Sequence, residues 1–235
     1  MLDFVDRIRS ILLYIYENVQ IPESDGMKIS APITTIMLII LMANMLGFTF
    51  NLISTAYGAA IINVPDDYPT IQESVNAANP GDIIMIASGT YYEHITISKS
   101  RLTLLGENPS STIIDGNGTG PIIYLSANDT TIMGLTIRNS GEDEEQGKPG
   151  LYIEHARGNT IANNIYYNCW ISIKIEGNMS YSSWGNKIIG NTLIDNHLGI
   201  ELIKFAVANI VSGNTVTNND EGIYLTAYSS NNTIN

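Results

Sequence analysis

The sequence predicts an all-β solenoid, a coil of short strands that is closed at its N-terminal end by a short helix. Two observations carry this prediction: asparagines recur at a fixed spacing, and runs of β-forming residues are split by Gly, Asn and Pro. The spacings between Asn159, Asn186, Asn209 and Asn232 are 27, 23 and 23 residues. A period in this range is typical of units that bury their apolar faces only by stacking on their neighbours.

Residues 1–26 come first, and they carry apolar side chains at roughly helical spacing. This spacing indicates an amphipathic helix that lies beside a membrane. The alternative is that the segment is upstream sequence and does not belong to the translated protein. Neither interpretation assigns any chemistry to it.

The next segment, residues 27–60, is predicted to decide the compartment of the protein. No charged residue occurs in 29–65, and the stretch 33–53 is mostly apolar and long enough to cross a membrane as a helix. The small residues that follow this stretch are typical of a signal-peptide cleavage site. The segment is therefore either a cleaved signal peptide or an uncleaved membrane anchor. Both alternatives place residues 61–235 outside the cytoplasm.

A capping helix is predicted over residues 70–78. Thr70 and Glu73 have the spacing of a capping box, in which each side chain accepts a hydrogen bond from the backbone N–H of the other residue. Ile71 begins an apolar stripe, and an Asn-Pro-Gly sequence ends the helix. Because the first coil would otherwise expose apolar side chains and unpaired strand edges, we expect this helix to cover it.

Short strands split by turn residues are predicted at 83–86, 95–97, 102–104, 113–114, 173–175, 200–202 and 223–225. Their lengths favour a coil with three strands per turn. Asparagine is expected at the corners, because it tolerates a left-handed backbone and stacked amides hydrogen-bond along a ladder. Asn164, Asn191 and Asn214 are therefore predicted to form a structural ladder. The last unit stops at Asn235 without a polar closing cap, which indicates that further coils are missing at the C-terminus.

Several of these segments together resemble a known family. The run from Tyr68 to Asp82 and the run from Thr112 to Gly116 resemble the opening of right-handed parallel β-helix proteins, the pectin-lyase-like superfamily. The Asn-x-Ile-x-x-Asn units resemble NosD-type repeats, so that the resemblance covers residues 62–235. It implies a right-handed parallel β-helix. It implies no single activity, because such proteins include pectin methylesterases, lyases, epimerases, copper-maturation factors and surface proteins.

Charge and cysteine content exclude several classes of protein. The formal net charge is -12, and residues 61–235 contain 8 Lys and Arg against 18 Asp and Glu. Since there is no basic stripe, nucleic acid is not an expected partner. Cys169 is the only cysteine, which rules out an intrachain disulfide and a Cys-rich zinc site. It is predicted to be a small, partly buried structural thiol.

Alternation along the predicted strands places one outward side chain from each coil in a column. This column contains Tyr124, Tyr152, Lys174, Glu201 and Tyr224. Tyrosines and charged groups on a flat strip stack against sugar rings and hydrogen-bond to them, so the column is a predicted carbohydrate-binding site. The alternative is that tyrosine is simply a good β-former. Lys174 beside Glu201 is the one pair in the column that fits a lyase, and we expect it to be an exposed cross-strand ion pair.

Two further groups of side chains are candidates for binding or modification. A loop with four adjacent acids is predicted either to bind Ca²⁺ through oxygen ligands or to be a solvated turn, and the acids are Glu142, Asp143, Glu144 and Glu145. Four sequons are candidate glycosylation sites, at Asn117, Asn128, Asn178 and Asn231.

The sequence predicts an exported or membrane-anchored β-helix without catalytic residues, acting as a surface binding or structural module toward carbohydrate. Its expected partners are polysaccharide or cell-surface components, and a membrane through the N-terminal helix; apart from Ca²⁺, no cofactor is expected. One alternative is a fragment of a polysaccharide lyase, epimerase or hydrolase. A second alternative is a copper-maturation accessory, but His94, His155 and His197 are far apart in the sequence, whereas copper prefers clustered ligands.

Overall fold

The computed structural model describes residues 59–141 and 148–235, which form a right-handed parallel β-helix with one short helix. This confirms the predicted fold class. The segment 1–26 lies outside the described residues, and so does the predicted signal or anchor segment apart from Ala59 and Ala60. Within the described ranges, no helix is long and apolar enough to cross a membrane.

The helix α1 (Ile71–Ala77) is one residue shorter at each end than predicted. The side-chain oxygen of Thr70 accepts a hydrogen bond from the backbone N–H of Glu73 at 3.1 Å, as the capping box requires. The carboxylate at the first turn comes from Glu93 rather than Glu73. Its two oxygens accept hydrogen bonds from the first two N–H groups of the helix, each at 3.0 Å. These N–H groups have no partner within the helix, so a carboxylate stabilises them.

Six coils each add one strand to each of three parallel sheets, and sheet 1 has one further strand at each end. Sheet 1 contains Ile61–Val64, Ile83–Ile86, Thr103–Gly106, Thr131–Met133, Thr160–Ala162, Lys187–Ile189, Ile210–Ser212 and Thr233–Ile234. Sheet 2 contains Gly89–Tyr91, Thr112–Asp115, Thr136–Arg138, Ile165–Tyr167, Thr192–Ile194 and Thr215–Thr217. Sheet 3 contains Ile95–Ile97, Ile123–Leu125, Pro149–Glu154, Ile171–Glu176, Leu198–Ile203 and Glu221–Leu225. Ser183–Trp184 and Ala206–Val207 form a small additional pair.

Columns of aliphatic side chains, one from each coil, fill the interior. The column inside sheet 1 is Ile84, Leu104, Ile132, Ile161, Ile188 and Val211. Each of these residues is at most 1% exposed. Burying one such side chain contributes roughly 1.5–3 kcal/mol, so stacking of neighbouring coils is the main source of stability.

Asparagine ladders hold the three corners of the coil. The predicted ladder of Asn164, Asn191 and Asn214 lies at the first corner, between sheets 1 and 2, where each side-chain nitrogen donates to the next side-chain oxygen at 3.2 and 3.0 Å. A second ladder, between sheets 2 and 3, joins Asn196 to Asn219 at 2.9 Å. The third, between sheets 3 and 1, consists of Asn159, Asn186, Asn209 and Asn232. The buried amides are therefore hydrogen-bonded rather than orphaned.

Cys169 occupies the position of an asparagine at the second corner. Its backbone N–H donates to the side-chain oxygen of Asn196 at 2.9 Å, as a ladder asparagine would do. The thiol is 3% exposed, and burial raises its pKa to about 11. A thiol in this environment stays protonated, which agrees with the predicted structural role.

The strands of sheet 3 are longer than predicted. The predicted strands 173–175 and 200–202 are the centres of the six-residue strands Ile171–Glu176 and Leu198–Ile203. These two strands pair from their first residue to their last. The longer strands give sheet 3 a wider outer face than predicted, and this face carries the polar groups described next.

Candidate functional site

The predicted column of outward side chains is present on the outer face of sheet 3. Tyr152 pairs with Tyr124 on one side and with Lys174 on the other. Lys174 pairs with Glu201, and Glu201 pairs with Tyr224. The inward neighbours of Tyr152, Lys174 and Glu201 are fully buried, and a slip of one residue would expose them. On the last strand, Ile223 and Leu225 are 36% and 40% exposed. The buried aliphatic columns therefore set the register of the outer column.

A second outward row lies two residues further along the same strands and is absent from the predicted column. It contains Glu154 and Glu176, which are paired neighbours. The hydroxyl of Tyr152 lies 2.9 Å from an oxygen of each of these glutamates, and the hydroxyl of Tyr124 donates to Glu154. The two tyrosine rings meet edge to face, with centroids 5.6 Å apart. Both hydroxyls are thus directed at carboxylates of the protein.

Lys174 connects the two rows. Its Nζ lies 3.2 Å from Glu176 and 3.7 Å from Glu201, and it stands 5.4 Å from the centre of the Tyr152 ring. Lys204 adds a second ammonium group, 2.7 Å from Glu176. The side chains of Lys174 and Glu201 are 12% and 15% exposed. The predicted ion pair is therefore present, but the prediction that it is exposed is wrong. The longer strands and the glutamate row cover this pair.

Burial and neighbouring charges move the pKa values of this network in different directions. Burial alone would raise the pKa of Glu176, but the ammonium groups of Lys204 and Lys174 and the Tyr152 hydroxyl lower it below its ordinary value of 4.5. Burial raises the pKa of Glu201, because the opposing effect of Lys174 is smaller. Glu176 is therefore held ionised, whereas Glu201 accepts a proton more readily than a free carboxylate.

Tyrosine ionisation is suppressed on the same face. The hydrogen bond to Glu154, together with burial, raises the pKa of Tyr124 to about 12. Burial and the charge of Glu176 raise the pKa of Tyr152 still further above its ordinary value. Both phenols remain neutral hydrogen-bond donors at any physiological pH.

Three groups of the network are directed outward or lack a protein partner. Among the described residues, Glu201 Oε2 is buried and has no hydrogen-bond partner. The side chain of Lys204 is 59% exposed, and Tyr224 is 46% exposed. Lys204 and Tyr224 are therefore the part of this face that a ligand with hydroxyl groups reaches first.

A groove of about 770 Å³ lies at the second corner and was missed in the predictions. Trp170 and His197 stack across neighbouring coils in this groove, with ring centroids 4.2 Å apart, and His197 Nδ1 lies 2.9 Å from Asp220. The signal was present in the sequence. Trp170, His197 and Asp220 follow one another at the same spacings as the repeated asparagines, but they differ in chemistry and so did not stand out as a repeat.

The predicted acidic Ca²⁺ loop, Glu142 to Glu145, lies outside the described residues, and its role stays a prediction. The four sequons are described. Asn117 and Asn231 are exposed, with positive φ angles of 52° and 57°. The side-chain oxygen of Asn128 accepts from the backbone of Arg157, and that of Asn178 accepts from two backbone N–H groups of its own turn. Asn117 and Asn231 are thus the more accessible candidates for glycosylation.

The coil, its asparagine corners and its polar outer face define the class of the right-handed parallel β-helix proteins. Residues 75–235 match the family described as periplasmic copper-binding protein (NosD). The chain belongs to the NosD family.

A cell surface glycoprotein of Methanothermus fervidus is 31% identical over 141 residues, which are 59% of this chain and 21% of the glycoprotein. The catalytic domain of a GH87 alpha-1,3-glucanase in complex with tetrasaccharides has a TM-score of 0.60 at 16% identity, covering 74% of this chain and 34% of that one. The same domain with nigerose has a TM-score of 0.58 at 16% identity, covering 71% and 31%. The chain thus spans a fifth to a third of these proteins, and the structural likeness is one of fold.

The described residues do not form a site that fits copper. No group of three or more His, Cys, Asp or Glu side chains in these ranges is placed to hold a metal ion. The three histidines lie on different coils and contact protein groups: His94 contacts Thr119 and the Pro121 carbonyl, and His155 contacts Asn178. His197 pairs with Asp220, as described above. Copper prefers clustered imidazole or sulfur ligands, and this arrangement does not supply them.

Proposed function

We propose that this chain is an extracytoplasmic β-helix protein that binds a polysaccharide chain along the outer face of sheet 3. The observation that carries the proposal is the continuous polar network on that face. It offers tyrosine, glutamate and lysine groups on five successive coils. Coils are spaced by about 4.8 Å, so the face matches an extended ligand with regularly spaced hydroxyl groups better than a compact one.

The chemistry of the face supports a sugar ligand. Sugar hydroxyls both donate and accept hydrogen bonds, and the exposed ammonium of Lys204 supplies donors for them. Tyr224 adds an exposed ring for stacking. The remaining groups of the network hold Lys174 and Glu201 in place, which lowers the entropic cost of binding.

The descriptions of the relatives support an extracytoplasmic location for this function. The family is described as periplasmic, and the glycoprotein relative is described as a cell surface protein. The uncharged segment 29–65 supports export of the chain. We propose that the repeat domain lies outside the cytoplasm, either released or held by that segment as an anchor.

Binding to an array of oligosaccharides and polysaccharides tests the proposal, with the full-length chain as the probe. Once a ligand is found, Tyr224→Ala should weaken binding about fivefold, because one sugar–aromatic contact is worth on the order of 1 kcal/mol. Tyr92→Ala is the matched control, since Tyr92 is 70% exposed and lies outside sheet 3. No binding to any glycan, or equal loss in both variants, would contradict the proposal.

Cleavage of a glycosidic bond is a second candidate function of the same face. The observation that favours it is the opposite displacement of two neighbouring carboxyl groups: Glu176 is held ionised, and the pKa of Glu201 is raised. Hydrolases use such a pair, in which the protonated carboxyl donates to the leaving oxygen and the ionised one assists attack at the sugar carbon. Here Glu201 would be the proton donor.

Release of new reducing ends from the bound polysaccharide distinguishes cleavage from binding. If cleavage occurs, Glu201→Gln should abolish it and leave binding within a few fold of the parent protein. Glu221→Gln is the control, because Glu221 is an exposed glutamate at the start of a neighbouring strand of sheet 3. Intact polysaccharide after long incubation with the parent protein leaves binding alone as the function.

A further inference from the structure

The groove at the second corner has two walls that repeat from coil to coil. One wall is formed by residues at the start of sheet 3 strands, Trp170, His197 and Asp220. The other is formed by corner residues with positive φ angles, including Asn168 at 51° and Asp195 at 54°. A left-handed corner turns the side chain away from the coil, and both of these side chains are exposed.

The ring wall is held in a defined orientation. The Trp170 and His197 rings are inclined by 30° with centroids 4.2 Å apart, and Asp220 accepts from or pairs with His197 Nδ1 at 2.9 Å. The backbone N–H of Trp170 donates to the Ser140 hydroxyl at 2.9 Å. The stack is thus held through its His197 ring by Asp220, while Ser140 positions the backbone of Trp170. A ring pair oriented in this way presents an apolar edge at reduced entropic cost on binding.

The opposite wall is a chain of hydrogen-bonded amides. The Asn168 side-chain nitrogen donates to the Asn139 oxygen at 2.8 Å, and the Asn139 nitrogen donates to both oxygens of Asp115 at 2.9 Å. Burial alone would raise the pKa of Asp115, but the hydrogen bonds from Asn139, Asn117 and Arg138 lower it. This wall therefore consists of oriented amides anchored on an ionised, buried carboxylate.

The charges of the groove limit what it binds. Its lining contains the carboxylates of Asp195 and Asp220, both exposed, and no lysine or arginine. A polyanion such as a chain of uronic acids would meet like charge there, which costs binding free energy. Hydroxyl and amide groups of an uncharged sugar, in contrast, fit carboxylate and amide partners beside an aromatic edge.

We propose that this groove is a second glycan site, separate from the face of sheet 3, and that it takes a short segment of an uncharged sugar chain. Lys174 lies four residue steps beyond Trp170, about 13 Å at the rise of a β-strand, and the two sites do not share side chains. Two sites on the same β-helix bind a long polysaccharide with higher avidity than either site alone.

Trp170 itself reports on this site. The chain has two tryptophans, and the other, Trp184, is 47% exposed beside Arg157 at the third corner. In the full-length Trp184→Phe variant, Trp170 is the only tryptophan. The probes are hexasaccharides of neutral glucose, mannose and N-acetylglucosamine chains, with a hexagalacturonate for comparison. We expect a saturable change in Trp170 fluorescence with at least one neutral hexasaccharide and none with hexagalacturonate.

Asp195→Ala in that variant should weaken the fluorescence-detected binding about tenfold, the loss expected for a charge-assisted hydrogen bond. Asp129→Ala is the matched control, because Asp129 is also exposed with a positive φ, 55°, but lies at another corner. Tyr224→Ala should leave the signal unchanged, which separates this site from sheet 3. No change with any neutral hexasaccharide, a response to hexagalacturonate, or equal loss in both aspartate variants would overturn the proposal.

Discussion

The outer face of sheet 3 and the groove at the second corner are built from the same repeat, but their polar side chains differ in burial and in their contacts. On sheet 3, Tyr152, Lys174 and Glu176 contact one another and are largely covered. In the groove, Asp195 and Asp220 are exposed to solvent, and Asp220 has a single ion-pair partner, His197, among the described residues. A repeated register thus brings residues together without deciding whether they serve the fold or a ligand.

The two regions differ in the length of the backbone segments that carry their polar side chains. Sheet 3 strands run for up to six residues, which gives two outward rows that satisfy one another. At the corner the outward groups sit on short left-handed turns such as Asn168 and Asp195, and these side chains have solvent on one side. Network members are therefore expected to contribute to stability, and groove members to contribute little.

The largest expected effect is that of Glu176→Ala. Glu176 contacts Tyr152, Lys174 and Lys204. Its removal takes the nearest carboxylate from both ammonium groups and leaves the Tyr152 hydroxyl with Glu154 alone. We expect the free energy of unfolding to fall by about 3 kcal/mol, measured by chemical denaturation. A loss below 1 kcal/mol would mean that the polar side chains of sheet 3 stabilise the fold no more than those of the groove.

Tyr152→Phe should have a smaller effect, because it removes one hydroxyl and keeps the ring. The hydroxyl lies 2.9 Å from both Glu154 and Glu176. We expect a loss of about 1–2 kcal/mol, typical of a hydrogen bond to a charged group. Asp195→Ala is the comparison in the groove and should change the unfolding free energy by less than about 0.5 kcal/mol. Equal losses in the two variants would remove the distinction between the regions.

The pH dependence of the unfolding free energy should show the contribution of Glu176 to the sheet 3 network. The folded pKa of Glu176 is lowered, so its stabilising contribution is complete above its ordinary value of 4.5 and is lost as the pH falls through the folded value. Denaturation measured from neutral to acidic pH should show this loss in the parent protein and a shallower one in Glu176→Gln. If the unfolding free energy of Glu176→Gln fell with pH as steeply as that of the parent protein, the network would not be what holds Glu176 ionised.

The sequence predicted the parts of the fold that depend on repetition. The ladder of Asn164, Asn191 and Asn214 and the aliphatic columns follow from one residue type recurring at one spacing. The order of Tyr124, Tyr152 and Lys174 on sheet 3 was also predicted, since alternation and the repeat set it together. Each of these features needs only a period and a hydrophobic pattern.

The parts that were missed depend on strand length and on contacts between unlike residues. The predicted strand 173–175 ends before Glu176, so the glutamate row had no place in the predicted face. Trp170, His197 and Asp220 share a register position but no common chemistry, and their stacking appears only once the coil is built. The helix cap differs for the same reason, because Glu93 reaches the helix from the following coil.

The asparagine ladders have a direction, and this has a consequence for how such a chain lengthens. At each rung the amide nitrogen and the backbone N–H donate to the oxygen of the next coil, as Asn186 does to Asn209 and Asn191 does to Asn214. A tandem duplication of one 23-residue unit presents the same acceptor to the coil before it and the same donors to the coil after it, so it extends the ladder without a mismatch. Gene duplication therefore lengthens this protein in whole coils, and an insertion of any other length has to be absorbed in a corner.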